Sequence, residues 1–148
     1  MPTGERRDPF RAFNFQLEID NIARGAFSEC SGLTAEGDAV DYREGTDLQP
    51  NVRKLVGLRK YTNITLKRGS TNALDLWEWH KKILDGDILS ARKNGSVVIY
   101  DTMLKEVARF NFVNGWPSKW KGPDLKAGDS NVALEEITIA HEGLVRKK

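Results

Sequence analysis

Disulfide bonding within the chain is excluded from the outset, because Cys30 is the only cysteine among 148 residues. A lone thiol fits synthesis in a reducing cytosol. Histidine is nearly as scarce: His80 and His141 stand far apart, and with one cysteine they match no zinc-ligand spacing. No stretch approaches the roughly 18 apolar residues of a membrane helix, so insertion into a membrane by this chain alone is not expected. Arg6-Arg7 near the start is not followed by an apolar segment, so export by a Sec or twin-arginine route is not expected either. No glycine-rich phosphate loop precedes a helix, since Gly122, Gly128 and Gly143 fall among strands and loops. Internal repeats and low-complexity segments are also absent.

What is present suits one soluble domain. A chain of this length buries about 70% of the surface its unfolded form exposes, enough for a core without metal or disulfide. Four Trp, six Phe and three Tyr supply large packing groups, which argues against disorder. The apolar fraction of 39% is slightly low and the charged fraction of 30% slightly high for a self-contained globule. Net charge is only +2, but its distribution is uneven. Glu29 to Asp47 holds six acids against one base, Arg43, whereas Leu48 to Gly69 holds six bases and no acid. Adjacent blocks of opposite sign suit either head-to-tail self-association or two solvated faces.

Residues 1–11 read as a flexible arm, followed by a single domain over 12–145. Phe13, Phe15, Leu17 and Ile19 alternate with polar residues, the period of a strand with one buried face. Ile22 to Leu33, rich in small residues, reads as a second strand paired to it. Glu44 to Gly57 reads as a long loop or projecting hairpin, and Lys60 to Arg68 as a strand with Ile64 and Leu66 facing inward. A helix is expected over about 72–85, capped by Ser70, Thr71 or Asn72 and ended by Gly86. Its apolar face is expected to carry Ala73, Leu76, Trp77, His80, Ile83 and Leu84. Further strands are expected at Ser96–Asp101, Val107–Asn114 and Asn131–His141, with a loop over Gly115–Gly128. A change of phase between Val132/Leu134 and Ile137/Ile139 suggests a bulge near Glu135-Glu136. The expected fold is mainly β, a sandwich or barrel of about seven or eight strands with one flanking helix. Its core is expected to rest on Phe13, Phe15, Leu17, Ile64, Leu66, Trp77, Ile99, Phe110 and Phe112.

Catalytic chemistry finds little footing. Cys30 lies among small strand residues, His80 sits beside Trp77 on the helix, and neither is placed with a base and an orienting group. No catalytic, metal-binding or cofactor-binding residue is assigned. An alternative class is a single-stranded nucleic-acid-binding β-barrel, given Arg53, Lys54, Arg59, Lys60, Lys67 and Arg68 near Tyr61, and the mix of aromatics and bases in Trp116–Lys121. The near-zero net charge opposes it.

A set of collinear motifs points elsewhere. Asp8-Pro9-Phe10-Arg11-Ala12-Phe13-Asn14-Phe15 is followed by Ala26-Phe27-Ser28-Glu29-Cys30-Ser31-Gly32-Leu33 and Tyr42-Arg43-Glu44-Gly45. Asn63-Ile64-Thr65-Leu66-Lys67-Arg68-Gly69, Leu76-Trp77-Glu78-Trp79, Phe110-Asn111-Phe112 and Asn114-Gly115-Trp116-Pro117-Ser118-Lys119-Trp120 continue the series. From about residue 8 to 145 this resembles the tail-tube proteins of contractile phages and extracellular contractile injection systems. The resemblance implies a structural, non-enzymatic subunit needing no cofactor. It implies rings of six, stacked around a channel for DNA or a protein payload, with sheath, baseplate and terminator proteins as partners. Assembly would take place in the bacterial cytoplasm, and the final location would be a virion or an extracellular particle. Within that frame the polar stretch with Tyr42, Arg43, Glu44, Asp47, Arg53 and Lys54 is the expected ring-to-ring contact.

Overall fold

The alternation of Phe15, Leu17 and Ile19 builds the first strand, β1 (Phe15–Ile19), whose odd residues are buried. The computed structural model describes residues 15–19, 23–43, 45, 52–70, 73–128 and 132–148. The arm over 1–11 and the expected site residues Phe13, Glu44 and Asp47 lie outside these. Along the chain follow β2 (Ala23–Ala26), β3 (Glu29–Ser31), β4 (Ala35–Tyr42), β5 (Arg53–Tyr61) and β6 (Ile64–Gly69). Two helices, α1 (Asp75–Leu84) and α2 (Ile88–Ala91), lead into β7 (Lys93–Tyr100), β8 (Glu106–Lys121), β9 (Leu134–Ala140) and β10 (Gly143–Arg146).

The strands pair antiparallel in the order β2-β1-β7-β8-β9-β6-β3, with β10 also on β8. β8 carries the sheet from one layer to the other. Its first half pairs with β7 and β10, its second half with β9. Between the layers lies one apolar core, with Leu17, Val97 and Phe112 from one side and Ile64, Leu66, Ile137 and Ile139 from the other. Phe15 is buried as well, while Ile99 and Phe110 are half-buried against this cluster. The result is the mainly β fold with a flanking helix that the sequence suggests.

Four local expectations are corrected. The segment Ile22–Leu33 is not one strand: at Phe27-Ser28 the chain leaves β1 and crosses to β6. Phe27 turns into the core, and the Ser28 amide donates to the Lys67 carbonyl at 2.8 Å. The stretch from Gly115 to Lys121 is strand, not loop. Pro117 has no amide to pair, and it sits where the β8–β9 register slips between Pro117 and Lys119, so the proline marks a bulge and not an end. Gly115 makes this possible, because a Cβ there would lie 2.5 Å from the Phe112 ring.

The bulge expected near Glu135-Glu136 does not occur, since β9 keeps unbroken register with β6 from Leu134 to Ile139. Glu135, Ile137 and Ile139 all point inward, and Val132 and Leu134 are the exposed ones. A carboxylate can hold that inward position because Arg68 bonds it and Asp75 together.

The helix face is rotated too. Leu76 and Trp79 are buried, with Ile83 packed against the core, whereas Trp77 is 37% exposed and Leu84 is exposed. Trp77 is therefore not the core tryptophan. Trp79 is, because α2 brings the Ala91 carbonyl within 2.7 Å of its indole N–H and satisfies the polar edge of a buried ring. α1 starts at Asp75 after Leu74, which gives no side-chain cap, while the expected cap residues Thr71 and Asn72 lie outside the described residues; beyond its end Gly86 takes a positive φ of 84°.

Candidate assembly surface

The reactive side chains do not converge. Burial pushes the Cys30 thiol up to about 11, so it stays protonated and inert at neutral pH. Neither histidine stands over it. Both ring nitrogens of His141 face backbone carbonyls, Gly143 at 3.1 Å and Thr62 at 3.0 Å. Among the described residues no three of His, Cys, Asp and Glu gather as a metal site requires. A cavity of about 380 Å³ beside Glu18, Ser96, Arg109 and Asn111 is open, and its charges satisfy one another. Arg109 donates to Glu106 at 2.6 Å and to Glu18 at 3.0 Å, which lowers the Glu106 pKa and raises that of the guanidinium.

The aromatic-basic run Trp116–Lys121 offers no open stacking platform. Trp120 lies under α1 with its ring 4.9 Å from that of Trp77, and Trp77 in turn meets His80 edge-on. Burial lowers the His80 pKa from the ordinary 6.5. A base held neutral by the fold gives stability that is full above about pH 6.5 and is lost as pH falls through its lower folded value. The urea midpoint should therefore drop between pH 7.5 and 5.5, and less so in His80→Gln. Identical slopes in both proteins would refute a role for His80.

The feature left over is the β4–β5 ribbon. Among the described residues its strands pair only with each other, with a register shift between Gly37 and Ala39, and they lean on no other element to any substantial extent. Val56 is 88% exposed and Leu58 77%, and Val40, Tyr42 and Leu55 are about half exposed. A two-stranded hairpin with apolar residues in water is marginal alone.

Register explains the charge blocks. Asp41 lies opposite Lys54 and bonds it, Asp38 meets Lys60 at 3.3 Å, and across β3–β6 Glu29 meets Lys67 at 3.7 Å. The acid block and the base block are thus neighbouring strands of one chain, and much of their complementarity is satisfied internally. Tyr42 lies opposite Arg53 at the far end of the pairing, with Arg43 just beyond. The sequence held the signal for this: an acidic run is followed directly by a basic run, the order in which a hairpin sets one beside the other. What it hid was the exposure of the apolar residues in the same ribbon, Val56 within the stretch that reads as a loop or projecting hairpin and Leu58 just after it.

Comparison with known proteins places this fold. The family described as T4-like virus tail tube protein gp19 matches residues 11–145. Among solved structures, the sheath–tube complex of the extracellular contractile injection system PVC in its extended state contains a chain with TM-score 0.77 and 21% identity, covering 94% of this chain and 91% of that one. A chain in the six-fold symmetrised baseplate of the anti-feeding prophage AFP gives TM-score 0.81 at 20% identity, covering 95% and 97%. One in the virion of a native gene transfer agent particle gives TM-score 0.63 at 14% identity, covering 95% and 100%. No curated protein sequence matches. At these identities the likeness to solved structures is a likeness of fold.

Proposed function

Because the chain belongs to the T4-like virus tail tube protein gp19 family, we propose that it is the inner-tube subunit of a contractile tail or injection particle, structural and not catalytic. Six copies close a ring, rings stack head to tail, and the channel carries DNA or a protein payload. The tube assembles in the bacterial cytoplasm alongside sheath, baseplate and terminator proteins and ends in a virion or an extracellular particle. Related folds in a sheath–tube complex, a baseplate, a tube cap and a sheath/tube terminator support those partners.

One observation carries the reading. The β4–β5 ribbon stands clear of the core with Val56 and Leu58 in solvent, and among the described residues no other element packs on it to any substantial extent. A second copy removes both the apolar exposure and the free strand edges. The ribbon, with Tyr42, Arg43, Arg53 and Lys54 near its far end, is then the element that reaches the next ring, and Glu44 and Asp47, between them in sequence, belong to the same proposed contact.

Ribbon variants separate stacking from folding. Deleting Thr46 to Val52 should leave a folded subunit that closes rings but grows no tubes. Reversing Arg53 and Lys54 to Glu should shorten tubes more mildly, because Lys54 already pairs with Asp41 and an exposed pair contributes only about 0.2–1 kcal/mol. Sedimentation velocity reads both outcomes. Deletion variants that build tubes of normal length would move the ring-to-ring contact elsewhere. Wild-type protein that stays monomeric at high concentration would sink the tube reading itself.

A further inference from the structure

A head-to-tail stack needs two different patches, one at each end of the subunit. The ribbon supplies one. Its root is fixed by Thr62, whose amide reaches the Thr34 carbonyl at 3.4 Å and whose own carbonyl lies 3.0 Å from His141. His141 stands beside the Val113 end of the β8–β10 pairing, where the Glu142 amide donates to Val113 at 3.0 Å. The β7–β8 turn lies at the other end of β8, next to Glu106. From 106 to 113 the strand runs roughly 23 Å.

That turn is an apolar tip. Met103 is 86% exposed and Leu104 70%. It is also rigidly built: Asp101 Oδ1 accepts from the amides of Met103 and Lys105, both at 2.9 Å, and the Asp101 amide donates to the Lys105 carbonyl at 2.9 Å. Leu104 is held at φ 61°, in the left-handed region that glycine occupies without strain and a branched side chain does not. Within the subunit, a leucine strained into water at a tip brings no benefit. Strain of this kind, held by surrounding bonds, belongs where a side chain must be presented. Presentation on a preformed turn also spares the ordering that a floppy loop would need on binding.

We propose that the β7–β8 turn is the other half of the axial contact, with Met103 and Leu104 of one copy packing on the apolar residues Val56 and Leu58 of the ribbon of a copy in the adjoining ring. This rests on the tube reading above and names the two surfaces that meet.

Two substitutions test it. Leu104→Gly removes the side chain and relieves the strain, so the subunit should melt at or above the wild-type temperature and still close rings. The concentration needed for tube growth should rise about tenfold, the equivalent of losing roughly 1.4 kcal/mol per contact. Met103→Asp should do the same or more without lowering the melting temperature. In a Cys30→Ser background, Met103→Cys with Val56→Cys should give ladders of disulfide-linked subunits on a non-reducing gel, and only from assembled tubes. If wild-type tubes form and both single variants match them in length and threshold, the turn is not the contact, while the tube reading stands. If wild-type protein forms neither rings nor tubes, the tube reading and this inference fall together.

Discussion

Trp79→Ala should destabilise the subunit by about 3–5 kcal/mol, the cost of truncating a fully buried large aromatic. Trp79 is 1% exposed, lies in the core with Leu76 and Ala91, and donates its indole N–H to the Ala91 carbonyl at 2.7 Å. Its removal leaves a cavity between α1 and β8 and strands an acceptor on α2. Trp77→Ala two residues earlier should cost far less, roughly 1 kcal/mol, because that ring is over a third exposed and packs edge-on against Trp120. Urea denaturation of the two variants, kept below the threshold for assembly, checks the contrast. Equal losses, or a larger loss at Trp77, would contradict the observed helix face.

A loss of similar size is expected from Arg68→Met. Arg68 lies on β6 and bonds Glu135 of β9 and Asp75 of α1, so one guanidinium ties the helix to two strands. Burial opposes its charge, but the hydrogen bonds it donates to Asp75 and Glu135 outweigh that and hold its pKa above the ordinary value. The same guanidinium lies 5.7 Å from the centre of the Phe27 ring. Removing it leaves Glu135, 4% exposed, without a counter-charge. Breaking one side of a buried pair typically costs about 3–5 kcal/mol. The double variant Arg68→Met/Glu135→Gln should recover much of the loss, because the stranded charge is gone. A double variant no more stable than Arg68→Met alone would show that Glu135 is not the source of the cost.

That cluster also explains where the sequence misleads. A glutamate in the run Leu134-Glu135-Glu136-Ile137 reads as solvent-facing, so the apolar phase seems to break there. Only the partner on β6, far away in sequence, makes an inward carboxylate tolerable. The helix face is hidden for a related reason. Trp77 and Trp79 are equally apolar, and the choice between them is made by the Ala91 carbonyl, which periodicity cannot see. Pro117 and Gly115 read as loop punctuation because their ordinary role is to end strands, yet in β8 they serve a bulge and a close approach to Phe112. By contrast, β1 and β6 were legible, because strict alternation of Phe15, Leu17 and Ile19, and of Ile64 and Leu66, leaves one face to bury. The projecting ribbon was legible as a long polar excursion and as opposite charge. Its exposed Val56 and Leu58 were not, since exposure depends on what fails to cover them. The strained tip at Leu104 leaves no trace in composition at all.

Self-assembly through these surfaces is best examined by negative-stain electron microscopy of the purified full-length protein, at high concentration and low salt. Stacked six-fold rings, lengthening into tubes as concentration rises, are the expected result. A field of separate particles the size of one subunit, unchanged by concentration, would contradict the assignment of this chain as a self-assembling tube subunit.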